Sequence, residues 1–205
     1  MLTVVIQAGG ESHRMGEDKA LRPFLGRPLV ERVLARVRPI ADELFVIANR
    51  QPAYRFLNCP LYADLLPGRG PLGGLYTALS VAAGDCVAVV GCDMPFVNAR
   101  LLRHQYELLG DAGADAVVPR STDGWEPLHA VYRRATCLPA VSAALDSGIW
   151  RMSAWLDSVR VRPLAQNEWL AYDPLLRAFC NVNTPQEFAQ AERWATADGS
   201  EGERR

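Results

Sequence analysis

The chain has 205 residues, 49% of them hydrophobic and 22% charged, enough to bury one sizeable core in one ordinary globular domain. Its net charge of -1 leaves no electrostatic footprint for a long polyanion, so nucleic acid is not an expected partner, and no run reaches the roughly 18 apolar residues of a membrane span. The first residues carry no charged n-region or apolar h-region, and the five scattered cysteines form no CxxC pair; both point to a reducing cytoplasm.

In chain order, Leu2 to Gln7 is an almost wholly apolar strand, as expected where both faces are covered. It runs into Ala8, Gly9 and Gly10, then Arg14, Gly16, Asp18 and Lys19. Pro28 to Val37 is predicted helical, with Leu29, Val30, Val33, Leu34 and Val37 on one stripe. Leu44 to Ala48 is a second strand. A glycine-rich turn, Gly68 to Gly74, leads into a helix over Leu75 to Ala83. Val87 to Val90 is a third strand, Leu101 to Leu109 a helix, and Ala114 to Val118 a fourth strand. Short apolar strands separated by amphipathic helices predict a three-layer α/β/α, Rossmann-like domain with a mainly parallel sheet. Beyond it, His129 to Tyr132 reads as a strand and Leu138 to Leu145 as a helix beginning near Pro139; Val159 to Arg162 alternates over a short segment. Thr184-Pro185-Gln186-Glu187 matches a capping box, starting a last helix that is expected to end near Trp194. One domain over 1–195 and a disordered tail over 196–205 complete the prediction.

Polar clusters fall just past the strands, where open α/β sheets bind ligands. Paired glycines allow close backbone approach to a polyphosphate, and Arg14 and Lys19 supply positive charge for a transferring phosphoryl group. The loop is neither GxxxxGK[ST], since Lys19 lies three residues after Gly16 and precedes Ala20, nor GxGxxG. Asp93, in a Cys-Asp-x-Pro turn after the third strand, is the best Mg²⁺ candidate, because that ion typically takes one or two carboxylates plus phosphate oxygens. Asp18 is read as holding the loop. Asn49 suits a base or ribose contact, and Asp64 suits the N–H donors of a guanine edge. Three histidines without metal-ligand spacing make a zinc site unlikely to be built; His129 reads as a packed strand residue, and the five dispersed tryptophans as packing residues.

The opening loop, AGGESHRMGEDKALRPFLGRPL, resembles the signature of the nucleotidyltransferases that act on the molybdenum cofactor, close to LAGGxSxRMGxDKxLxxxxGxPL. GPLGGL (70–75), CDMPF (92–96), EPLHAVYRR (126–134) and NVNTPQEF (181–188) extend the likeness in order. Within that family, the Asp18-Lys19 pair and the chain length favour the guanylyl over the cytidylyl branch. The resemblance implies GTP and molybdopterin as substrates and Mg²⁺ as cofactor. It makes Gln7, Ala8, Gly9 and Gly10 nucleotide-binding by backbone, Lys19 a triphosphate ligand, and Asn49 and Asp64 base or ribose contacts. It makes Asp93 both a nucleotide contact and the metal ligand, and it places Asn181 and Asn183 on the acceptor side. The chain departs from the pattern at Gln7, usually Leu, and at His13, frequently Arg, and its loop is one residue shorter than some. Molybdenum-cofactor biosynthesis proteins and acceptor apo-enzymes are the further partners implied. The alternatives are transfer from CTP or to a sugar phosphate, and a non-catalytic carrier.

Overall fold

The computed structural model describes residues 1–8, 18–111 and 113–202. The elements run β1 (Leu2–Gln7), a β2–β3 hairpin (Pro23–Phe24 and Arg27–Pro28), α1 (Leu29–Val37), β4 (Glu43–Ile47), β5 (Leu61–Tyr62) and α2 (Gly70–Val81). They continue with β6 (Cys86–Gly91), α3 (Ala99–Asp111), β7 (Ala116–Ser121), β8 (Gly124–Trp125), β9 (His129–Arg133) and α4 (Arg134–Asp146). β10 (Val161–Leu164), the short α5 (Gln166–Trp169) and α6 (Pro185–Gly202) close the chain.

The main sheet has the order β10-β7-β9-β6-β1-β4-β5, with β8 paired to β7. β1 lies at its centre, parallel to β4 and β6, with Val5 opposite Phe45 on one side and Val89 on the other. Alternation sorts the central strands between two cores. Leu2, Val4, Ile6, Ala88 and Val90 pack with α1 and α3, whereas Val5, Val87 and Val89 pack with α2 and α4. A third, smaller cluster joins Phe24, Phe96 and Val182 to Phe188, Ala191 and Ala195 of α6. The architecture is the expected three layers around a mostly parallel sheet. Its antiparallel members are β9, inserted between β6 and β7, and the short β8 beside β7; the link from β7 to β9 is shorter than the about a dozen residues that a parallel crossover requires.

Three of the boundaries that differ from the sequence reading have a clear physical reason or consequence. α2 begins at Gly70, inside the glycine-rich segment read as a turn, because Pro71 in the first turn needs no N–H there. Pro139 lies inside α4 rather than at its start, on the solvent-exposed side of the helix. α6 continues to Gly202 instead of ending near Trp194, so residues 196–202 are helical rather than the start of a tail. Buried Ala195 and an Asp198–Arg177 ion pair at 3.1 Å hold that extension to the body. Among the described residues no helix is long and apolar enough to cross a membrane.

Candidate active site

The carboxyl end of β1 faces the start of the loop that carries Asp93. Gln7 is in register with Gly91, and the Cys92 N–H donates to the Gln7 carbonyl at 3.0 Å. Gly91 is glycine for a local reason: a Cβ there would come within 2.8 Å of Asp93 Oδ1. The missing methyl leaves room for the carboxylate to fold back over the strand end.

Lys19 closes on this carboxylate. Its Nζ lies 3.1 Å from Asp93 Oδ2 and also donates to Asn183 Oδ1. Both partners of the ion pair keep about a fifth of their side-chain surface exposed, 22% and 20%, so the pair borders solvent and can exchange for a ligand. Lys19 is presented by a single 3₁₀ turn, Lys19–Leu21, that Asp18 caps through a bond from the Ala20 N–H to Oδ1. Tyr54, almost wholly buried, donates its hydroxyl to Asp18 Oδ2 at 2.8 Å. Burial, then the bond to Asp18, pushes the Tyr54 hydroxyl far above its ordinary range, so it stays a donor. Asp18 thus anchors the turn that presents Lys19; the rest of the loop it was expected to hold lies outside the described residues.

Asn183 arrives from the other end of the chain. The Val182 N–H donates to the Asp93 carbonyl at 3.0 Å. The expected capping box forms: Glu187 Oε2 accepts the N–H groups of Asn183 (2.7 Å) and Thr184 (2.8 Å), while Thr184 Oγ1 accepts the Glu187 N–H. Those two backbone donors hold the Glu187 carboxyl below its usual range. Asn181 is exposed on the same segment, with no hydrogen bond to its side chain among the described residues.

On the other flank, Asn49 Oδ1 accepts the N–H of Asp64 at 3.0 Å, so these two residues meet. Asp64 Oδ1 is committed to its own loop, accepting from the Leu66 N–H and from the buried Thr77 hydroxyl at 2.8 Å. Oδ2 has no hydrogen bond among the described residues. Gln7, half-buried at the end of β1, sends its amide against α2: its nitrogen donates to the Pro71 carbonyl at 3.2 Å and its oxygen accepts the Leu75 N–H at 2.9 Å. A leucine makes neither bond.

The structure therefore brings Lys19, Asp93 and Asn183 into one cluster and Asn49 with Asp64 into a second, with Gln7 and Ala8 between them. Gly9, Gly10, His13 and Arg14 lie outside the described residues. His129 is fully buried; its Nε2 accepts the Asn98 N–H at 3.1 Å, and burial holds its pKa down to about 4, so it packs in the neutral form. The Cys92 thiol is pushed up by burial and by the nearby carboxylates Asp93 and Asp18, which makes it a poor nucleophile. The sequence reading missed Tyr54 and Thr77, and it took Gly91 only as part of the turn carrying Asp93. Only Gly91 gave a signal there, as a glycine ending a valine-rich strand. Trp150 also departs from that reading, being 50% exposed rather than packed.

Among the described residues no three His, Cys, Asp or Glu side chains cluster as a self-sufficient metal site. A hard cation shared with phosphate oxygens needs less, and Asp93 Oδ2 and Asn183 Oδ1 already converge on one cationic point. This donor set fits Mg²⁺.

The model of the MobA-like NTP transferase domain matches residues 4–161, which include Lys19, Asn49, Asp64 and Asp93. The chain is 35% identical to the molybdenum cofactor guanylyltransferase of Desulfosudis oleivorans, over 93% of this chain and 94% of that protein. It is 37% identical to the probable molybdenum cofactor guanylyltransferase of Carboxydothermus hydrogenoformans, over 91% and 93%. Molybdopterin-guanine dinucleotide biosynthesis protein A from Archaeoglobus fulgidus superposes with a TM-score of 0.83 at 27% identity, covering 95% of this chain and 99% of that one. A cytidylyltransferase for 2-C-methyl-D-erythritol 4-phosphate from Thermus thermophilus, 18% identical with a TM-score of 0.69, shares the fold over 94% of this chain and 98% of its own. With the matched domain covering most of the sheet together with Lys19, Asn49, Asp64 and Asp93, the chain belongs to the MobA-like NTP transferase family.

Proposed function

We propose that the chain transfers GMP from GTP to the terminal phosphate of molybdopterin carrying molybdenum, giving the guanine dinucleotide form of the cofactor and pyrophosphate. The observation that carries this reading is the meeting of Lys19, Asp93 and Asn183 at the carboxyl end of the central strands. Its similarity to molybdenum cofactor guanylyltransferases supports it. An acceptor phosphate oxygen attacks the α-phosphorus of GTP while the bond to the β-phosphate oxygen breaks in line, and pyrophosphate leaves with that electron pair. The acceptor is already anionic at neutral pH, so no protein base is required.

Catalysis is positioning and charge neutralisation. Lys19 moves its ammonium from Asp93 and Asn183 to the triphosphate, and Arg14 adds a second cation. Asp93 and Asn183 would hold Mg²⁺, which when bound would supply further neutralisation of phosphate charge. The backbone of Gln7, Ala8, Gly9 and Gly10 lines the nucleotide, Asn49 and Asp64 meet its base and ribose, and Asn181 faces the acceptor. A cytoplasmic setting belongs to the same reading, supported by five cysteines that are all free thiols.

The test is pyrophosphate release from GTP and Mg²⁺, with and without molybdopterin. Release that requires molybdopterin, with GTP preferred over CTP and ATP, supports the reading. Release without molybdopterin, with a sugar phosphate in its place, or with CTP preferred, overturns it.

A further inference from the structure

Beside Asp64 stands an arrangement that the reaction above does not use. Arg69 ends the loop before α2, and its guanidinium carbon lies 4.9 Å from the centroid of the Trp150 ring. Trp150 comes from the connection after α4, far along the chain, and half of its surface stays open to solvent. An exposed cation–aromatic stack is by itself ordinary. Its position is not, because Arg69 and Asp64 border the same glycine: a Cβ on Gly73 would lie 2.9 Å from Arg69 Cβ and 3.7 Å from Asp64 Oδ2. Gly73 thus brings the Arg69 stem beside the carboxylate oxygen of Asp64 that has no hydrogen bond among the described residues, and Asn49 Oδ1 accepts the Asp64 N–H.

A planar fork of N–H donors and a free carboxylate oxygen at one place define a complementary ligand. Guanine offers the acceptors O6 and N7 on one edge and the donors N1–H and N2–H on the adjoining one. Adenine puts an amino donor where guanine has O6, and cytosine has no N7. Stacking on the indole keeps the guanidinium plane fixed and costs it none of its donors. We propose that Arg69, held by Trp150, reads the O6/N7 edge of guanine while Asp64 Oδ2 reads N1–H and N2–H, which makes the Arg69–Trp150 pair a determinant of base specificity. This deepens the guanylyl reading and rests on it. Arg69 and Trp150 are specificity residues, not catalytic ones; they touch the base, away from the reacting phosphorus.

The discriminating probe is 7-deaza-GTP, which lacks only the N7 acceptor. Equilibrium binding of GTP and 7-deaza-GTP with Mg²⁺ is measured on the full chain, on Arg69→Ala, and on Trp150→Ala and Trp150→Phe. The wild type binds GTP several-fold more tightly than 7-deaza-GTP. Arg69→Ala weakens GTP by about tenfold, the value of one bidentate base contact, and binds the two nucleotides almost equally. Trp150→Ala shrinks the same discrimination and Trp150→Phe restores most of it, whereas a purely structural tryptophan would shift both nucleotides together. Equal binding of the two by the wild type overturns the proposal, and so does an Arg69→Ala variant that weakens both by the same factor, since that marks a phosphate contact. The catalytic reading fails separately: a wild type that discriminates against 7-deaza-GTP yet makes no guanine dinucleotide from GTP and molybdopterin leaves Arg69 as the base reader and removes the assigned reaction.

Discussion

Lys19 neutralises Asp93 directly in the free site, and on the proposed chemistry the same ammonium later neutralises the triphosphate. Lys19→Ala and Asp93→Ala should each lower pyrophosphate release by on the order of 10²- to 10³-fold, the usual cost of removing a preorganised charge, with an unchanged far-UV spectrum. Near-normal turnover in either variant removes that residue from the site. Gly91→Ala is a sharper probe, because the new Cβ meets only the movable carboxylate and the Met94 side chain. It should cost at least about tenfold in turnover by displacing Asp93, while the unfolding midpoint moves little. A large loss of stability with normal activity would show that Asp93 has room elsewhere. At this scale the sequence was informative about which side chains carry charge and silent about what each one touches. Nothing near Lys19 announces Asn183, 164 positions away, and the Tyr54–Asp18 bond joins two stretches with no common pattern. Gln7 stood out as a polar end to an apolar strand, yet its two bonds to α2 depend on the crossing of two elements.

Among the elements, β9 fixes the start of α3 through one neutral imidazole. His129 accepts the Asn98 N–H, and Asn98 Oδ1 in turn accepts the Leu101 N–H, so protonation of His129 removes an acceptor from beneath the helix start. Folding holds this histidine at about 4, below its ordinary value near 6.5, so the unfolded chain binds the extra proton between those two values. Stability from this group is full above about pH 6.5 and falls as pH drops towards 4, by on the order of 3 kcal/mol. Urea midpoints across that window should show the decline. In His129→Gln, which keeps an acceptor but cannot titrate, the decline should be smaller, and equal slopes in the two proteins would place the titration elsewhere. Periodicity located β1, α1, β4, β6, α3 and β9 closely, because each buries one regular stripe or both faces. It failed at α2 and α4, where glycine and proline were read as punctuation. Their tolerance inside a helix depends on first-turn position for Pro71 and solvent exposure for Pro139, and only the fold reveals either.

For the whole molecule, the parallel arrangement of β1, β4 and β6 was legible from alternating apolar runs and helices, but the insertion of antiparallel β9 between β6 and β7 was not. Strand direction there follows from a short link, whereas strand order is a tertiary choice. That order spreads the site across the sheet, from Asn49 and Asp64 past β4 and β5, through Lys19 and Asp93 at the centre, to Asn183 before α6. A ligand spanning it should stabilise the molecule as a unit. GTP with Mg²⁺ at a hundred times its dissociation constant should add about 2.7 kcal/mol and raise the melting temperature by roughly 5–10 °C for a chain of this size, as thermal-shift titration would show. A larger shift with CTP would redirect the base assignment.

The ammonium of Lys19 sits at the point where Asp93 and Asn183 present their oxygens, so the empty enzyme carries its own counterion. A divalent ion arriving alone must evict that internal cation. One arriving with a triphosphate need not, because the phosphate oxygens draw the ammonium away. On the proposed chemistry, metal and nucleotide are thereby heterotropic partners, and reciprocity requires each to tighten the other by the same factor. Calorimetric titration should find Mg²⁺ weak on the free protein and markedly tighter with a non-hydrolysable GTP analogue. In Lys19→Ala, where no resident cation has to leave, the gap between the two affinities should narrow.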